Sequence, residues 1–201
     1  MSHEQNVQIA SWQDAIAESL RACGSSDDIG VIQRCLYERK APRLADAIKT
    51  ELKSLLLSAT ICDKLHQVIM LKSARGLIGD HEHTLIFPFA TDAILSAYNA
   101  RRILGGPEMK QIVGENLTKE LVVAFDTELP RAIEASDAIR HHHDRAFGRF
   151  VDSSISTQGQ MIAHWGATLT LTDRNLEKFN FEFHPRKVEE MLLKASLILV
   201  G

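Results

Sequence analysis

The chain has 201 residues, with 23 Lys and Arg against 26 Asp and Glu, a net charge of −3 and a pI near 6.3. That length is enough to bury a full core in one domain. The slight acidity argues against a strongly basic nucleic-acid binder and leaves room only for a local basic patch. The three cysteines, Cys23, Cys35 and Cys62, are odd in number and not closely spaced, which does not suit a disulfide framework. Cys35 and Cys62 read instead as small apolar residues in a reducing cytoplasm. No apolar run follows a basic start, and none reaches the roughly 18 residues of a membrane span. The expectation is a cytoplasmic protein without a membrane segment.

Residues 8–40 read as two short helices. Ser11 caps the first, with Asp14 in the capping-box position and Trp12, Ile16 and Leu20 along one face. The loop Gly24 to Asp28 supplies the cap of the second, over 29–39. Pro42 then opens the longest helical pattern, running to Leu77. Leu44, Ile48, Leu52, Leu55, Leu56, Ala59, Cys62, Leu65 and Ile69 give it the broad apolar stripe of a central bundle helix. Asp63 and His66, three apart, are possible metal ligands there. His81, Glu82 and His83 in the polar break 76–84 are possible partners for them.

Leu85 to Leu104 is the next helix, with Pro88 confined to its first turn and Ile94, Leu95, Tyr98 and Ile103 apolar. Gly105-Gly106-Pro107 stops it and lacks the spacing of a phosphate loop. Residues 108–125 follow as a helix carrying Ile112, Leu117, Leu121 and Val122, kinked at Gly114.

The densest chemistry lies between Leu129 and Arg149, which includes His141, His142 and His143 in a row. Pro130 suits a first helical turn, and Asp126 or Thr127 suits the cap before it. Ala132, Ala135 and Ala138 favour helix. At three- and four-residue spacing Glu134, Asp137, His141, Asp144 and Arg145 share a face, and Arg140 can pair with Asp144. Such a face can be a solvated row of ion pairs. It can also be a site. A histidine oriented by Asp137 or Asp144 and flanked by Arg140, Arg145 and Arg149 can do acid–base work on a phosphodiester, because imidazole titrates near neutrality and guanidinium grips phosphate with a fork of donors.

Beyond a loop over 152–160 the periodicity changes to two. Thr168, Thr170 and Thr172 alternate with Leu169 and Leu171, and Phe179, Phe181 and Phe183 alternate with polar residues. The expectation is a β-hairpin over 160–184, turning at Asp173-Arg174-Asn175, with its phenylalanines on the helices. A closing helix spans 186–200, with Val188, Met191, Leu192, Ala195 and Leu199 in register. The predicted fold is mainly α: one domain, an antiparallel helical bundle over 42–150, a hairpin packed on its side and a C-terminal helix.

This layout, with His143-Asp144-Arg145 ending a bundle helix ahead of a hairpin and a last helix, resembles the HEPN-like (higher eukaryotes and prokaryotes nucleotide-binding) helical proteins. The resemblance runs from Pro42 to the C-terminus and is anchored locally on IRHHHDRAFG, residues 139–148. It implies metal-independent endoribonuclease chemistry of the toxin–antitoxin and phage-defence kind, carried out by a homodimer. His141, His143, Arg140, Arg145 and Asp144 would be catalytic, with Arg149 and Asp137 binding. The family's spaced Arg–His pair is not matched, since the window after Arg140 falls on Arg145, Ala146 and Phe147. No cofactor is implied. The competing readings are a non-catalytic module that binds a partner protein, and a metal protein using Asp63, His66, the 81–83 loop and the histidine triplet.

Overall fold

The computed structural model describes residues 11–23, 27–77, 85–140, 162–164, 167–172 and 177–201. Within them lie eight helices: α1 Trp12–Cys23, α2 Asp27–Glu38, α3 Pro42–Ser73, α4 Ile86–Leu104, α5 Pro107–Val113, α6 Glu115–Glu128, α7 Ala132–Arg140 and α8 Pro185–Val200. Three strands, β1 Ile162–His164, β2 Thr168–Thr172 and β3 Lys178–Glu182, form an antiparallel sheet in the order β1-β2-β3. The fold is mainly α, as expected.

The expected stripe of α3 is the core. Ile48, Leu52, Leu55, Ala59 and Cys62 are wholly buried, and α4 meets them with Ala90, Ala93, Ile94, Ala97 and Ala100, also wholly buried. Alanine at helical spacing lets the two axes approach closely, so the stripe on α4 consists mostly of methyl groups. Ser54 and Ser58 Oγ donate to Asp92 Oδ2 at 2.7 and 2.6 Å, which sets the register between the two helices. By length and composition α3 would pass for a membrane span, but half of its most apolar window is buried inside the fold.

Local chemistry sets several helix ends. Ser11 and Asp14 close a capping box, Asp14 N–H donating to Ser11 Oγ at 3.1 Å and Ser11 N–H to Asp14 Oδ2 at 3.0 Å. α2 ends in a Schellman pair, Ala41 N–H to Leu36 O at 3.0 Å and Lys40 N–H to Tyr37 O at 2.9 Å. Pro42 and Pro107 occupy the first turns of α3 and α5, where the missing N–H costs nothing. α2 and the last helix meet where Ser196 Oγ donates to Asp28 Oδ1 at 2.7 Å and Arg39 Nη2, just past the end of α2, donates to Leu199 O at 3.2 Å.

The sheet carries its apolar face as expected. Leu169 pairs with Phe181 and Leu171 with Phe179, all four buried, and Phe181 and Phe183 stack with centroids 5.9 Å apart. Burying a ring of that size contributes about 1.5–3 kcal/mol, so the sheet belongs to the core.

Five expectations need correction. In α1 it is Ala15 and Ser19 that are buried, while Trp12 and Leu20 are 43% and 55% exposed, because a neighbouring helix selects the face with small residues. Residues 108–125 are two helices, α5 and α6, separated at Gly114, whose φ of 90° and ψ of 162° no helix contains. Asp126 and Thr127 lie inside α6 and cap nothing; Thr127 Oγ1 donates back to Val123 O at 2.7 Å. Pro130 precedes α7, which begins only after Arg131, at a φ of +66°, and exposes Ile133. The run Met161 to Thr172 contains two strands, as its strict alternation begins only at Thr168. The turn 173–175 and the 81–83 loop lie outside the described residues.

Candidate anion-binding face

Of the expected site, Asp137 and Arg140 are described; His141, His143, Asp144, Arg145 and Arg149 lie outside the described residues. Arg140, the last residue of α7, is solvent-exposed and sets its guanidinium carbon 4.1 Å from the centroid of the Tyr98 ring on α4. Arg102, one helical turn beyond Tyr98, lies 5.5 Å from the same centroid, and its Nη1 donates to Tyr98 Oη at 3.4 Å. Two cations therefore share one half-buried aromatic side chain. A hydrogen bond from Arg140, reinforced by the positive charge of Arg102, holds the Tyr98 phenol below its usual value of 10.0.

Two guanidinium groups repel each other unless something between them offers negative potential. The π face and hydroxyl oxygen of Tyr98 do so. A guanidinium stacked on a ring still points its edge N–H donors outward, and that edge grips phosphate.

Neighbouring residues make the contrast plain. Arg101, beside Arg102 in sequence, is bound twice by Asp126 of α6, Nε at 3.0 Å and Nη2 at 2.9 Å, and serves as a tie between helices. Asp137 is half-buried and already engaged.

The metal-ligand candidates go elsewhere. Asp63 Oδ2 accepts from Gln67 Nε2 at 2.7 Å, and its other oxygen faces His184 Nδ1 at 4.0 Å. Among the described residues no three His, Cys, Asp or Glu side chains come together around a metal position. Cys62 is buried, its thiol pKa pushed up by loss of water, which leaves it inert. Cys35 is half-buried and unpaired.

The sequence presents Tyr98 only as one of the apolar residues of its helix. The available signal was Tyr98 and Arg102 at four-residue spacing, a pattern that gains meaning only when Arg140 arrives from another helix. The chain matches no protein-family model, no curated protein and no solved structure.

Proposed function

We propose that this chain is an RNA-binding helical-bundle protein of HEPN-like type that holds the phosphate backbone of single-stranded RNA on the face formed by α4 and α7. The observation that carries this reading is the Tyr98 ring shared by Arg102 and Arg140. Both arginines are exposed and among the described residues neither pairs with a carboxylate, and an aromatic ring with arginines is the usual means of holding an unpaired strand. The sequence continues directly from Arg140 into His141-His142-His143-Asp144-Arg145, so further phosphate ligands and acid–base groups follow the same helix end. In this reading His141 and His143 move protons during cleavage of the strand, Asp144 and Asp137 orient them, and Arg145 and Arg149 extend the phosphate contacts.

A second reading, a module that binds a partner protein or a second copy, is favoured by an apolar stripe on α8. Leu193, Leu197 and Val200 are 49%, 62% and 65% exposed at spacings of four and three.

One titration separates the two. Fluorescence anisotropy of a labelled single-stranded RNA, repeated at stepped salt, is expected to show binding that weakens with salt. Each phosphate contact contributes about −0.7 to the slope of log K against log salt, so Arg102→Ala with Arg140→Ala should flatten it by about 1.4. Binding by the double variant with an undiminished slope would refute the assignment. Absence of RNA binding by the parent chain would leave the partner reading standing.

A further inference from the structure

A groove opens between the start of α3, the end of α4 and α5, with a volume of about 1060 Å³. Leu44, Ala47, Ile103 and Ile112 line it with apolar surface, and Lys40, Arg43 and Arg102 bring cations to it. Glu51 lines it too, eight residues and therefore about 12 Å further along α3 than Arg43. The size is at the upper end of small-molecule sites, which are mostly apolar with a few convergent polar groups.

Two features of this groove bear on what it can hold. Two of its three cations carry no partner among the described residues, while the third, Arg102, donates to Tyr98. Lys40 and Arg43 have no ion pair or hydrogen bond through their side chains among those residues, although Glu51 and Glu108 line the same groove. The second feature is the backbone of Lys40. It sits at the αL position that ends α2, with φ +61°, where glycine is the comfortable residue. A long cationic side chain is thus held at conformational cost where none is needed to end the helix.

We propose that this groove binds a small organic anion, a phosphate monoester or a carboxylate, with its anionic group on Lys40 and Arg43 and its body on Leu44, Ile103 and Ile112. Glu51 and Glu108 weigh against a polyanion such as an RNA strand running through the groove, because each would meet phosphates with like charge. They are well placed to accept hydrogen bonds from hydroxyl or amino groups at the other end of a ligand charged at one end only.

The test is isothermal titration calorimetry of the full chain with glycerol 3-phosphate and, separately, with glutarate. The variants are Lys40→Gly and Arg43→Ala. Lys40→Gly relieves the strained backbone, so lost binding there cannot be ascribed to unfolding. One of the two ligands should bind, and each variant should weaken it by about tenfold, the loss of one charge-assisted hydrogen bond. Preference for the phosphate ester identifies a phosphate site, and preference for glutarate a carboxylate site. Failure of both ligands to bind, or equal binding by Lys40→Gly and Arg43→Ala and the parent chain, overturns the proposal. Arg102 is intact in both variants, so their RNA affinity reports separately on the face formed by Tyr98, Arg102 and Arg140.

Discussion

Phe181→Ala tests whether the sheet is part of the cooperative core. Phe181 is 0% exposed, pairs with Leu169 across the sheet and stacks on Phe183 at 5.9 Å. Truncation removes the ring's transfer free energy and leaves a void that a stacked neighbour and a cross-strand leucine only partly refill. Comparable Phe→Ala changes cost about 3–5 kcal/mol. At about 2–4 °C per kcal/mol for a chain of this length, the melting temperature should fall by roughly 6–20 °C. Asn180→Ala is the control. Asn180 is exposed and its Oδ1 accepts one hydrogen bond, from Thr170 Oγ1 at 2.8 Å, so its loss should cost about 1 kcal/mol at most. Urea melts followed by far-ultraviolet circular dichroism, which reports on the helices, give both values. If Phe181→Ala moved the helical transition no more than Asn180→Ala, the sheet would be an appendage and the argument for a shared core would fail.

Two further outcomes are expected. Gly114 sits at φ 90°, ψ 162°, a region essentially confined to glycine, and a methyl group added there would meet nothing within 4 Å. Gly114→Ala should therefore cost about 1–3 kcal/mol from backbone strain alone, and an unchanged chemical-denaturation midpoint would refute that account. The Glu182 carboxyl is held below its usual 4.5 by the hydrogen bond and charge of Lys187 at 2.6 Å. A carboxylate depressed on folding stabilises above its unfolded pKa and loses that contribution as pH falls through the folded one. Glu182→Gln should accordingly be less stable than the parent near neutrality, with the gap closing below pH 4.5. A gap independent of pH in paired urea melts would count against the ion pair.

Much of this fold is legible in the chain because its signals are local. The stripe from Ile48 to Ile69, the Ser11–Asp14 box, the Gly105-Gly106-Pro107 stop and the alternating phenylalanines each follow from steric preferences or hydrogen bonds within a few residues. The stripe of α8 is equally plain: Val188, Met191, Leu192, Ala195 and Leu199 are all buried.

What periodicity cannot show is which sector of a helix a neighbour will cover. Trp12 and Leu20 form the more apolar line on α1, yet Ala15 and Ser19 are the buried pair, since close approach to another helix favours small side chains over greasy ones. Tyr98 belongs to an apolar line on α4 and acquires its chemistry from Arg140 on α7, far along the chain. The groove collects Lys40, Arg43 and Arg102 only because the start of α3 lies against the end of α4. Sequence by itself determined most of the helices, the alternating strands β2 and β3 and the stretch rich in histidine and arginine, all set by forces acting over one or two turns. Tertiary packing decided the pairings between residues far apart in the chain, Arg101 with Asp126 and Lys194 with Glu128, because those depend on distances that local spacing does not set.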